Sequence, residues 1–149
     1  MNWFKTKISY LMQAENGSVV KRTDNYLVNA MSFTEAEARL LTIMSEYVPE
    51  YDLVSCAKVK ITDAVFNDEA DKWYKVQLAY VSHDADSGKE KKINEFFMMQ
   101  ANNINEAIEA ASDRMEGSIV DWSIPCTQLT DILDVFPYEN EANHEQASE

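Results

Sequence analysis

The chain reads as an α+β protein in which one ββαβ unit is written twice, and three observations carry that reading. Ser32-Phe33-Thr34-Glu35-Ala36-Glu37-Ala38 opens an amphipathic helix behind a strand-like run, and Asn103-Ile104-Asn105-Glu106-Ala107-Ile108 repeats the cap seventy-one residues later. Trp3-Phe4-Lys5 returns as Trp73-Tyr74-Lys75 at an offset of seventy, and Cys56 and Cys126 stand at that same offset. A helix that follows two antiparallel strands must lay its apolar stripe on a sheet face. The simplest assembly is a mixed or antiparallel sheet with both helices on one face, related by a pseudo-twofold axis. Two half-sheets packed on each other would satisfy the same pattern, and strand order does not follow from it.

The first unit spans residues 1–66. Alternation from Trp3 to Met12 puts Phe4, Thr6, Ile8 and Tyr10 on one face and Trp3, Lys5, Lys7 and Ser9 on the other. Asn16-Gly17 marks a hairpin reversal, and a second strand runs from Val19 to Ala30. Its end, Tyr26-Leu27-Val28, is apolar on both faces, as in a central strand. Ser32 and Glu35 have the spacing of a capping box. Phe33, Ala36, Leu40, Leu41, Met44, Tyr47 and Val48 then form one helical stripe, which Pro49 ends. A third strand runs from about Leu53 to Ile61, with Leu53, Ala57, Val59 and Ile61 toward the core, and Val65-Phe66 closes the unit.

Residues 67–72 form a short polar linker, and the second unit occupies 73–136. Trp73 to Tyr80 repeats the first strand, Gly88 answers Gly17, and Glu95 to Met99 repeats the central run. Asn103 replaces Ser32 as the cap acceptor. Ile104, Ala107, Ile108, Ala111 and Met115 make the second stripe, with Gly117 as its stop. Pro125, inside a strand from Trp122 to Leu129, argues for an edge or a bulge, and Val135-Phe136 matches Val65-Phe66. Residues 137–149 form a polar, acidic tail expected to be flexible. The two units are expected to build one compact domain.

The formal net charge is −13, unevenly spread. Residues 1–92 hold 12 Lys/Arg against 14 Asp/Glu, whereas from Ile93 onward Arg114 is the one base against 12 acids. That balance opposes nonspecific binding to DNA and favours solubility, or a basic partner. No run approaches the roughly 20 apolar residues of a membrane span, and the N-terminus passes straight into strand alternation instead of a signal-peptide core. The expectation is a cytoplasmic protein with no membrane partner and two buried thiols at matching places.

Groups suited to catalysis are few. His83 and His144 have no partner at metal-ligand spacing, and the cysteines form no CxxC pair. Three glycines leave no phosphate-cradling loop. Asp84-Ala85-Asp86-Ser87-Gly88 has its glycine one place early for a calcium loop and reads as a polar turn. Glu35 and Glu106 are explained by capping. The sequence therefore predicts no enzyme, no cofactor and no metal.

Alternation places Trp3, Lys5, Lys7, Lys58, Lys60, Trp73, Lys75 and Gln77 on the sheet face away from the helices. Rings interleaved with lysines suit single-stranded nucleic acid, which needs π-faces for bases and ammonium groups for phosphates. The same pattern also arises when lysines simply line a solvated sheet and tryptophans plug the core. The acidic second unit offers a different surface, Glu106, Glu109 and Asp113, for a basic protein, and acidic surfaces can also imitate a phosphate backbone.

The opening Trp-Phe/Tyr-Lys strand, Tyr26-Leu27-Val28-Asn29-Ala30 and Ser32-Phe33-Thr34-Glu35-Ala36-Glu37-Ala38 together resemble a family of small proteins of gut-type Bacteroidetes and their phages, known as a domain of unknown function. The likeness covers about residues 2–136. It implies a phage or mobile-element setting in a bacterial host cell and action through partners, and it supplies no catalytic residue. The second copy departs from the motif, with Ile108 where the first has Glu37. The function expected is a non-enzymatic binding or adaptor protein acting through protein partners of unspecified identity and in an unspecified oligomeric state. The alternative is a single-stranded nucleic-acid-binding accessory protein that uses the aromatic and lysine face.

Overall fold

The computed structural model describes residues 1–138 of the 149-residue chain. Most of the expected acidic tail, with His144, lies outside the described residues. In chain order the elements are β1 (Asn2–Gln13), β2 (Val19–Ala30), α1 (Phe33–Met44), β3 (Asp52–Val59) and β4 (Asp63–Val65). They continue with β5 (Lys72–His83), β6 (Glu90–Ala101), α2 (Ile104–Met115), β7 (Trp122–Leu129) and β8 (Ile132–Phe136). The ββαβ pattern is present twice, and the class is α+β.

The strands fall into two four-stranded mixed sheets, ordered β3-β1-β2-β8 and β4-β6-β5-β7. Each has an antiparallel hairpin at its centre, Phe4 opposite Val28 in one and Tyr74 opposite Met99 in the other. The parallel strand of each sheet comes from the other repeat. β4, which closes the first repeat, runs beside β6 with Val65 opposite Met99, while β8 runs beside β2 with Phe136 opposite Val28. The compact units are therefore residues 1–59 with 132–138, and residues 60–131. The sequence repeat, 1–66 and 73–136, divides the chain differently because the closing strands are exchanged. Residues 67–72 belong to the second unit: the Asn67 amide donates to Gln100 Oε1 at 2.9 Å, and Gln100 Nε2 donates to the Ala70 carbonyl at 3.0 Å.

Each helix is capped by the same device. The Ser32 hydroxyl accepts from the Glu35 amide at 3.2 Å while the Glu35 carboxylate accepts from the Met31 amide at 3.1 Å. In the second copy Asn103 Oδ1 accepts from Glu106 and the Glu106 carboxylate accepts from Asn102, both at 2.9 Å. Two otherwise orphaned amides are thus satisfied at each helix start. At the first hairpin only Gly17 takes a positive φ, +85°, a conformation that costs glycine little. Gly117, at φ +81°, follows the C-cap Glu116.

The cores show compensating substitutions. In the first unit Ile8, Tyr26 and Val28 of the sheet pack on Leu40 and Met44. In the second, Leu78, Phe97 and Met99 pack on Ala107 and Ala111. Val28 corresponds to Met99 and Leu40 to Ala111, so volume lost on the helix is regained on the sheet, as close packing requires.

Two expectations about the first helix and third strand are corrected. α1 ends at Met44, a turn before Pro49, where Ser45 caps it and Val48 closes back on the Met44 carbonyl at 2.7 Å. Phe33 and Leu41 of the helix, and Tyr47 beyond its end, are exposed instead of core. In β3 the register to β1 slips, with Lys7 opposite Ser55 but Ile8 opposite Leu53. Val54 is the extra residue of a bulge, which reverses the alternation beyond it. Leu53 faces α1, whereas Ala57 and Val59 share the face of Trp3 and Lys5.

Candidate binding surfaces

The aromatic and lysine face expected from alternation is distributed over both sheets. In the first unit Trp3, Lys5 and Lys7 share the face away from α1, opposite Val59, Ala57 and Ser55 of β3. Lys58 does not join them. It stands opposite Phe4, on the helix side, because the bulge at Val54 shifted the phase. Trp3 is buried, 7% exposed, with Leu27 and Ser9 of the same face also buried.

In the second unit Trp73, Lys75 and Gln77 share a face with Phe96, Met98 and Gln100. Trp73 is 1% exposed and meets Phe66 edge-on at 5.2 Å. Lys75 and Lys60, which follows the end of β3, both place their ammonium groups over the Phe96 ring, at 4.9 and 5.5 Å from its centre. Such cation–π contacts hold the lysines on the sheet. Gln77 is engaged by Asn94 at 3.0 Å. Neither tryptophan therefore presents a ring to stack on, and burial of the indoles in the sheet centres is the reason.

The three acidic residues expected to form a partner surface all lie on α2. Glu106, Glu109 and Asp113 line one stripe of α2 at three- and four-residue spacing. Glu106 is occupied by capping, while Glu109 and Asp113 are exposed. Arg114 leans away from them, its guanidinium 4.7 Å from the centre of the Phe97 ring.

Alternation did not indicate the outward face of α1. Ala38, Leu41 and Thr42 stand there where α2 has Glu109, Ser112 and Asp113. Leu41 is 60% exposed and Tyr47, just past the helix, 72%. A groove lies along each flank of α1. The first, about 820 Å³, is bounded by Thr34, Glu37, Ala38 and Leu41 of the helix, by Tyr10 and Leu11 of β1, and by residues 49–53. The second, about 720 Å³, lies between Glu35, Arg39, Thr42, Glu46 and Tyr47 on one side and residues 136–138 on the other. Arg39 fixes that second wall, donating to the Asn29 carbonyl and, at 2.9 Å, to the Pro137 carbonyl, with its guanidinium over the Tyr138 ring. Spacing could have revealed this surface, since Leu41 falls beside the narrow stripe of Ala36, Leu40 and Met44.

One buried polar cluster also escaped the sequence. Asp24 is buried and accepts from the Tyr10 hydroxyl at 2.7 Å and the Tyr26 hydroxyl at 3.3 Å, with Arg22 at 3.5 Å. Burial, and then the Asp24 carboxylate, push both phenols above their usual range. The second unit keeps the pair as Tyr80 and Glu95, 2.9 Å apart. Cys126 lies opposite Gln77 and is exposed, while Cys56 lies opposite Thr6 and is half-buried. The two thiols, both free, are thus one register place apart in their units, not at matching places, and Cys126 is not buried.

Among the described residues no group of His, Cys, Asp and Glu is arranged to hold a metal ion, and no helix is long and apolar enough to cross a membrane. His83 sits at the tip of the second hairpin, 3.9 Å from Glu90. The turn from Asp84 to Gly88 is closed by its own bonds, with Asp84 accepting from the Asp86 amide and the Ser87 hydroxyl.

Neither the curated proteins nor the solved structures give a match to this chain. A family match covers residues 2–138, from the first residue of β1 through the end of the described chain. The chain belongs to the domain of unknown function DUF4494.

Proposed function

We propose that this protein is a non-enzymatic binding or adaptor module that acts through protein partners in the bacterial cytoplasm, as cargo of phages or mobile elements of gut-type Bacteroidetes. The setting rests on the resemblance at the W-F-K strand and the F-T-E-A-E-A helix start. The binding role rests chiefly on one observation: two helices of common pattern carry opposite outward faces, Ala38-Leu41-Thr42 on α1 against Glu109-Ser112-Asp113 on α2. A solvated helix keeps polar residues outside, and exposed apolar side chains gathered beside grooves mark sites of association. Leu41 and Tyr47 supply the anchors, of the sort that dominate partner binding. The burial of Trp3 and Trp73 withholds the stacking rings that single-stranded nucleic acid would need.

The test is affinity capture from a bacterial host, comparing the native chain with a Leu41→Asp, Tyr47→Ser double variant of unchanged circular dichroism. A partner enriched by the native chain and lost by the variant is the expected result. Capture indifferent to these changes but abolished by Glu109→Lys with Asp113→Lys would move the site to α2. No capture, together with salt-sensitive binding of labelled single-stranded DNA in fluorescence anisotropy, would replace the proposal with the nucleic-acid reading.

A further inference from the structure

We infer that the groove between α1 and the start of β3 receives an extended peptide segment in which lysine or arginine alternates with apolar residues. The segment adds a strand to the first sheet along the outer edge of β1. This deepens the partner-binding reading above and rests on it.

The argument begins with backbone pairing. β1 pairs with β2 as far as Gln13 opposite Val19, but with β3 only as far as Ser9 opposite Asp52. Residues 10–13 thus have a strand on one side alone. In the second unit the corresponding pairing reaches Tyr80 opposite Trp122 and is carried on by a bond from the Val81 amide to the Asp121 carbonyl at 3.3 Å. No such bond continues past Ser9 among the described residues. Unpaired edges invite strand addition, and proteins ordinarily guard them with charge or proline. The second unit does so with Pro125 in β7, and Val81 and Ser82, at the places of Leu11 and Met12, are half-buried there. The first unit has Leu11, 71% exposed, and Met12 there instead, and Val54 at the bulge of β3 where β7 has Pro125.

The chemistry of the groove states what the segment carries. Leu41, Tyr51 and Leu53 give it an apolar lining, and Glu37, Glu50 and Asp52 are its charged residues. None of these three carboxylates has an ion-pair partner among the described residues. The Glu37 charge reaches the groove wall: after burial, it is the second influence raising the Tyr51 hydroxyl. Three unneutralised carboxylates beside apolar side chains match a cationic, apolar sequence. The helix stripe from Thr34 to Leu41 is about 10 Å long, which a strand covers in about three residues. A helical ligand would leave the amides and carbonyls of residues 10–13 unused, whereas an extended one pairs with them.

The probe is a fluorescein-labelled peptide alternating lysine with valine and leucine, titrated into the full-length chain by anisotropy at low and moderate salt. Binding should weaken about tenfold, the equivalent of about 1.4 kcal/mol, in Glu37→Lys, and similarly in Leu11→Asp. Methylation of alternate peptide amides should abolish binding in one of the two phases and spare the other, since a strand presents alternate amides to its neighbour. A peptide that fails to bind, binds both variants like the native chain, or tolerates methylation in both phases overturns the inference. The partner-binding reading is judged separately: capture that depends on Leu41 and Tyr47 but ignores Glu37 and Leu11 leaves it standing while this inference falls.

Discussion

Asp24 is the residue on which the first hairpin turns. Its carboxylate is shut from solvent by two tyrosines and one arginine, so removing it strands the Tyr26 hydroxyl in a buried place. Leaving a buried donor unsatisfied costs about 1–3 kcal/mol, while deleting one partner of an outer bond costs about 1. Asp24→Ala should therefore destabilise the first unit more than Tyr10→Phe, as read by urea unfolding. The pH dependence has a definite sign. Both phenols titrate above their ordinary 10.0 in the folded chain. Below pH 10 they are protonated in both states, and the stability they contribute is fully present. As pH rises past 10 the unfolded chain loses its protons first, so stability falls toward the raised folded values. Tyr26→Phe should lessen that alkaline loss, and an unchanged alkaline profile would refute the coupling. None of this was legible in the sequence, because Asp24 sits in the polar run Lys21-Arg22-Thr23-Asp24-Asn25, which alternation assigns to solvent. The hairpin register that sets Ile8 opposite Asp24 puts it under the tyrosines.

At the scale of elements, local signals predicted local structure and failed where a neighbour intervened. The caps at Ser32 and Asn103 were legible because acceptor and acid belong to one turn of chain. β2 and β7 have the bounds that alternation and flanking turns imply. The face of Lys58 was not legible, since the Val54 bulge is a property of the β1–β3 pair and leaves no mark in β3 alone. The burial of Trp3 and Trp73 is likewise outside the reach of alternation, which distinguishes two faces without saying that one is open. The acidic stripe of α2 offers a test of where local structure ends and surface begins. Glu106→Lys removes the carboxylate that accepts from Asn102 and should lower stability by roughly 1 kcal/mol. Glu109→Lys with Asp113→Lys touches no such bond and should leave the melting temperature nearly unchanged. Equal losses from both would mean that the stripe acts on the fold through its overall charge.

The whole molecule is defined by the exchange of its closing strands. Residues 63–65 leave the first repeat to pair beside β6, and residues 132–136 return from the second to pair beside β2. The two junctions are equivalent, since Val65 opposite Met99 and Phe136 opposite Val28 occupy the same place in their sheets. Each repeat consequently offers an acceptor edge on its second strand and a donor strand shaped for the other's edge. A fragment comprising residues 1–66 has both parts but, lacking the second repeat, has nowhere to put its donor except on another copy. Exchange of identical elements between copies is a low-cost route to dimers. The fragment should therefore sediment as a dimer with the β-rich circular dichroism of the native unit, and Val65→Pro, which removes an amide from the donor strand, should abolish the dimer and leave the chain unfolded. A folded, monomeric fragment would show that β2 needs no parallel neighbour, and that the exchange is incidental to closing the sheet.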